Sequence, residues 1–171
     1  MALLESFDND QWYDPALERY GVRYARAMTR YLYANIVPAN TPSQDWPKYG
    51  LITQFDKALA FTLAAGATDT QTLQTNNRNW MLVCRSAIAA DSTGAEASLV
   101  NITVGCNADP GIQLMDVQPA KLVFGDGQLP SLMLFPEEWP TNTFRRWTVT
   151  NGSAGSRVVT LSFKFFQVRT G

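Results

Sequence analysis

The hydrophobic pattern of this chain changes period once, near residue 50, and that change limits the fold to a helical segment followed by a β-rich body. Before it, Leu17, Tyr20, Tyr24, Ala27 and Tyr31 recur at spacings of 3, 4, 3 and 4, which puts them on one face of an α-helix. Arg19, Arg23, Arg26 and Arg30 recur at 4, 3 and 4 and form a second stripe about 100° away. Asp14 followed by Pro15 predicts the helix start, because an N-cap oxygen then precedes a residue whose missing N–H is not needed. Val37 stands before Pro38 and is pushed out of helical geometry, so the helix is expected to end near Asn35. Such a rod is about 30 Å long. Gly21 inside it costs roughly 1 kcal/mol relative to alanine, which favours a site where another backbone approaches closely.

Residues 37–50, VPANTPSQDWPKYG, contain three prolines and neither period; they are expected to form a semi-rigid linker. From residue 51 the apolar positions alternate. Strands are predicted at Leu51–Phe55, Ala58–Ala64, Trp80–Ala89, Ser98–Cys106, Gln113–Gln118, Lys121–Phe124, Ser131–Phe135, Phe144–Thr150 and Arg157–Arg169, separated by AAGATDT, DSTGAE, NADPG, GDGQLP, EEWPTN and NGSAGS. The last two read as a hairpin: Trp147 and Val149, then Val159, Leu161, Phe163 and Phe165 beyond the Asn151–Gly152 turn, continue one apolar face. The expected fold is mainly β, an antiparallel, jelly-roll-like β-sandwich with an N-terminal α-helical arm. Its parts are an arm at 1–36, a linker at 37–50 and a sandwich at 51–171.

Charge is sparse and uneven. Charged residues make up 17% of the chain and the net charge is −1, against a usual quarter or so. No global field would draw the protein to nucleic acid or to an anionic membrane. Residues 1–14 carry Glu5, Asp8, Asp10 and Asp14 with no base, whereas 15–36 carry four arginines against Glu18. No apolar run approaches the roughly 20 residues of a membrane-spanning helix. MALLESFDNDQW has no basic start, long apolar stretch or cleavage site, so synthesis in a cytosol is expected. Asn101 and Asn151 head glycosylation sequons that this expectation sets aside.

There is no histidine, which removes the usual general base, the histidine-dependent nucleophiles and the commonest zinc ligand. No phosphate-binding glycine loop occurs. Cys84 and Cys106 lie on the apolar sides of predicted strands and read as buried thiols; a disulfide would need those faces to oppose each other. Glu137 and Glu138 are adjacent and point to opposite sides of an extended segment. Asp109 and Asp126 sit in turn sequences, where Asp serves the backbone. A carboxylate hydrolase or calcium site would have to be assembled from these acids. The expectation is no enzyme activity, no cofactor and no metal.

Two other groups have dual readings. Trp46 and Trp139 each precede proline in predicted loops, and either stack on a sugar or plug an open end of the sandwich. The arginine stripe either grips nucleic acid or pairs with carboxylates of Asp8 or a partner protein. Absence of lysine there, and tyrosines at core spacing, favour protein.

The layout DPALERYGVRYARAMTRYLYANIVP ahead of a strand-rich body, with FPEEWP, FRRWTVTN and RVVTLSFKFFQVRTG in its second half, resembles minor virion proteins of tailed bacteriophages: decoration, vertex or head–tail collar components. The resemblance implies a non-catalytic protein without cofactor, present in many copies and assembled in the host cytoplasm into the virion. Its partners would be copies of itself and virion proteins such as the major capsid protein or portal, with no membrane and no direct nucleic-acid contact. Leu17, Tyr20, Arg23, Tyr24, Ala27, Arg30 and Tyr31 would form the partner interface. The alternative is a sandwich binding module whose loops at Trp46 and Trp139 recognise a glycan or host surface.

Overall fold

A computed structural model describes residues 22–34, 36–76, 78–108 and 111–170. The chain divides into two compact units, Met1–Gln54 with Phe166–Gly171, and Phe55–Phe165.

In the first unit, helix α1 runs over Val22–Tyr33. The N–H groups of Ile36 and Val37 donate to the Tyr33 carbonyl at 3.0 and 3.1 Å, which closes the helix just before Pro38, as the proline rule requires. Positions 15–21 and 35 of the expected helix lie outside the described residues. The segment read as a structureless linker contains a 3-10 helix, Ser43–Tyr49. Tyr33 ties the two together: its hydroxyl donates to the Gly50 carbonyl at 2.5 Å and its ring lies 5.8 Å from that of Trp46. Gly50 has φ 148°, and a Cβ there would stand 2.7 Å from the Arg169 carbonyl oxygen. Only glycine fits that approach.

The second unit is built from two antiparallel sheets. Its strands are β1 (Leu51–Leu63), β2 (Thr68–Gln74), β3 (Trp80–Ala90), β4 (Glu96–Ala97), β5 (Ile102–Ala108), β6 (Ile112–Pro119), β7 (Ser131–Trp139), β8 (Phe144–Asn151) and β9 (Arg157–Arg169), of which β1 begins and β9 ends in the first unit. One sheet has the order β1-β9-β3-β4, with β7 also pairing β3; the other is β2-β8-β5-β6. Inward residues of both form one core, including Phe61, Leu82, Val104, Trp139, Trp147, Val149, Leu161, Phe163 and Phe165. Aromatic rings bridge the layers: Trp147 of β8 lies 5.0 Å from Phe163 of β9 and stacks at 6.4 Å on Trp139 of β7. Such pairs add about 0.5–1.5 kcal/mol each beyond area burial. Both indole N–H groups are buried without an acceptor, which costs roughly 1–3 kcal/mol apiece.

Several expectations are corrected. Leu51–Phe55 and Ala58–Ala64 are a single strand, since the exposed Asp56–Lys57 pair breaks the apolar rhythm without breaking an edge strand. Thr68–Gln74, partly read as a turn, is β2; only Leu73 in it is buried, so alternation is too faint to register. Lys121–Phe124 is not a strand but lies in helix α2, Ala120–Phe124. Burial of Ala120, Val123 and Phe124 together follows i, i+3, i+4 spacing, which a strand cannot satisfy. Residues 98–101 precede β5 rather than belonging to it. Trp139 is the last residue of β7, not part of a loop.

The expected β8–β9 hairpin is also absent, because the two strands belong to different sheets. The crossing is built on Asn151, whose side chain is fully buried. Its Nδ2 donates to the carbonyls of Ala64 and Gly155 at 3.0 and 2.9 Å and reaches that of Leu63 at 3.3 Å. Its Oδ1 accepts from the N–H of Ser153 at 3.0 Å and from its hydroxyl at 2.5 Å. One amide therefore satisfies backbone groups that a change of sheet would otherwise leave unpaired.

The two cysteines sit in different sheets as thiols, Cys84 on β3 and Cys106 on β5. The β3–β7 register slips by three residues between Leu82 and Cys84, and β3 changes phase there: Trp80 and Leu82 belong to the shared core before it, Ala87 and Ala89 after it, and Cys84 is left half-exposed. A slip by an odd number of residues moves the later side chains to the other face. Cys106 is buried, and desolvation pushes its thiol up to about 12.

Asn151→Ala should lower unfolding free energy by about 2–3 kcal/mol, because several buried backbone groups lose their partner; urea denaturation measures it. Asn151→Asp should be at least as damaging at pH 7 and recover as pH falls, since a carboxylate facing three carbonyls gains protons on folding. For the thiols, iodoacetamide at pH 8 should modify Cys84 in the native protein and reach Cys106 only after denaturation, as peptide mass spectrometry would show.

Candidate interaction surfaces

Helix α1 has two unlike sides. Met28, Thr29, Leu32 and Tyr33 are buried, and Tyr33 carries the contacts to Gly50 and Trp46 described above. Ala27, Arg30 and Tyr31 face outward, with Tyr31 41% exposed. The residues expected to form a contact face thus divide. Ala27, Arg30 and Tyr31 present one solvent-facing surface; Arg23 and Tyr24 belong to the same helix by backbone position; Leu17 and Tyr20 lie outside the described residues. The face that holds the helix down, Met28–Leu32 with Thr29–Tyr33, has i, i+4 spacing that the louder tyrosine pattern hid.

The tryptophans occupy different environments. Trp139 is 0% exposed, so it has no ring face for a sugar. Arg145 of β8 lies over its ring at 4.6 Å and pairs with Glu137 of β7 at 3.1 Å, a link between the sheets. Trp46, in the 3-10 helix, is half-buried; its indole N–H donates to the Thr41 carbonyl at 3.1 Å.

The carboxylates are engaged singly. The Glu138 carboxylate accepts from the Asn79 amide at 2.7 Å, and its backbone carbonyl accepts from Arg145 at 3.4 Å. Asp126 accepts from the N–H groups of Gln128 and Leu129 at 3.0 and 2.7 Å. Those bonds, with Leu129 first, hold its carboxyl below the usual range. Asp109 lies outside the described residues. Among the described residues no group of three or more Cys, Asp or Glu side chains is gathered to hold a metal ion.

Other surfaces leave no signal in the sequence. Strand β6 is the outer strand of its sheet, with Ile112 62% and Val117 68% exposed. Its apolar residues keep no clean alternation because its pairing with β5 slips twice. The GDGQLP turn projects Leu129, 77% exposed, from a loop closed at Gly125, where a Cβ would fall 2.1 Å from the Leu129 carbonyl oxygen. In the second unit an open groove of about 400 Å³ is lined by residues of both charge signs, including Asp56, Lys164 and Cys84. In the first unit a wider cleft of about 780 Å³ is lined by Lys48, Tyr49, Thr53, Arg169 and Thr170 around Gly50, and its charged lining residues are basic alone.

No protein-family model matches the chain, and no curated protein matches its sequence. Among solved structures, the chain is similar to one in the cyanophage Pam1 capsid asymmetric unit, with a TM-score of 0.40 and 15% identity over 77% of this chain and 91% of that one. It is similar at a TM-score of 0.25 to infectious bursal disease virus, Gx strain, with 14% identity over 70% of this chain and 38% of that one. Dimeric latent PorU from Porphyromonas gingivalis also gives 0.25, with 11% identity over 67% of this chain and 13% of that one. TM-scores of this size do not establish a common fold.

Proposed function

We propose that this chain is a non-enzymatic structural protein of a bacteriophage virion, a capsid-associated decoration, minor capsid or collar component that assembles through its N-terminal arm. The observation that carries the reading is the two-sided character of α1. Its inner side is fixed by Met28, Leu32 and Tyr33, while Ala27, Arg30 and Tyr31 are presented to solvent. Tyrosine and arginine on an anchored backbone combine contact area with directional polar groups at low ordering cost, the chemistry that interfaces enrich. The arm-then-sandwich layout supports a virion as the place of assembly, by resemblance to minor phage proteins. Its partners are then copies of itself and proteins such as the major capsid protein or portal, met in the host cytoplasm. The glycan-binding alternative loses Trp139, which is buried.

The test follows from the burial pattern. Deleting residues 1–36 would also remove Met28, Leu32 and Tyr33, so substitution of exposed positions is cleaner. In the virus that encodes the chain, Ala27→Glu with Tyr31→Glu should leave Tm within a few degrees of wild type, yet lower the copy number per purified particle at least tenfold, as measured by quantitative mass spectrometry. A doubly substituted chain that enters particles at the wild-type level, or a wild-type chain absent from them, overturns the reading.

A further inference from the structure

Resting on that reading, we infer that the basic cleft around Gly50 is the socket for the acidic N-terminal segment, residues 1–14, of a neighbouring copy. The cleft lies wholly in the first unit, between Pro47–Leu51 with Thr53 on one side and Arg169–Thr170 on the other. It owes its form to Gly50. The backbone there runs so close to Arg169 that a Cβ would strike the Arg169 carbonyl and stand 2.9 Å from the Val168 side chain. Lys48 and Arg169 are exposed. Lys48 pairs with Asp45, a contact that raises its pKa through the hydrogen bond first and the charge second. Arg169 has no ion pair among the described residues, so it supplies the uncompensated charge. Tyr49 adds a hydroxyl able to donate to a carboxylate, while the Thr53 hydroxyl donates to the Gln167 carbonyl at 3.5 Å.

The occupant is chosen by charge. Glu5, Asp8, Asp10 and Asp14 make 1–14 a stretch of four acids without a base, while the remainder of the chain carries 14 bases against 11 acids. Leu3, Leu4, Phe7, Trp12 and Tyr13 are interspersed among those acids and would give apolar contact area beside Pro47 and Leu51. An open cleft of about 780 Å³ is within the size range of sites that enclose a small ligand or a few side chains. Donation of such a segment from each copy to the next would give a head-to-tail contact, which closes into a ring or extends according to its rotation.

The experiment uses the full chain in sedimentation velocity. Wild type should associate with rising concentration, and the association should weaken between about 0.05 and 0.5 M salt, where screening shortens to a few ångströms. Lys48→Glu with Arg169→Glu should weaken association at least tenfold, and so should Asp8→Lys with Asp10→Lys. Arg169→Glu alone, which keeps the Lys48–Asp45 pair, should act in the same direction. Near-UV circular dichroism confirms that these exposed substitutions leave the fold intact. A 1:1 mixture of the two doubly substituted chains should associate again, because the lysine-bearing segment of one fits the glutamate-bearing cleft of the other. Reversed chains that associate like wild type, or a mixture that stays dissociated, overturn the inference. If wild type stays monomeric while Ala27→Glu with Tyr31→Glu still abolishes incorporation, the socket inference fails and the assembly reading stands with another virion protein as partner.

Discussion

The contact of Trp147 with Phe163 and Trp139 is the interaction around which the two sheets are arranged. It requires β8 on one layer and β9 on the other, so the sheet change at Asn151 is a condition for it. Arg145 completes the arrangement, with its guanidinium over the Trp139 ring and against Glu137. A cation in such a half-buried position is tolerable because the ring quadrupole and the carboxylate offset its desolvation.

Strongly periodic segments could be read from the sequence. Arg157–Arg169 is a strand with the boundaries its alternation predicts, and two antiparallel sheets follow from many short strands with turn residues between them. What escaped was decided by tertiary context. The Asn151–Gly152 pair is a hairpin signal on local grounds; the buried amide at Asn151 instead collects carbonyls from residues 63, 64 and 155, two of them nearly 90 positions away. Val123 and Phe124 have β-forming side chains, but Ala120 and the packing of all three on the core favour a helical turn.

The candidate surfaces were legible to different degrees. Tyrosine and arginine spacing predicted a helix across α1, while only the structure distinguishes its buried side from its exposed one. Trp139 carried the same WP signal as Trp46, yet one is core and the other half-buried beside Tyr33. The basic cleft was not legible at all, because it joins Lys48 to Arg169, residues 121 positions apart. A lone lysine and a lone arginine leave no local trace of proximity.

The position of β9 has a consequence for biosynthesis. It follows both β1 and β3 in chain order, yet it lies between them in the sheet. Until it arrives, those two neighbours have open edges, and open edges invite pairing with other chains. A nascent polypeptide of this design keeps both edges exposed until β9 follows them, and that interval is when crowding on a polysome is most hazardous.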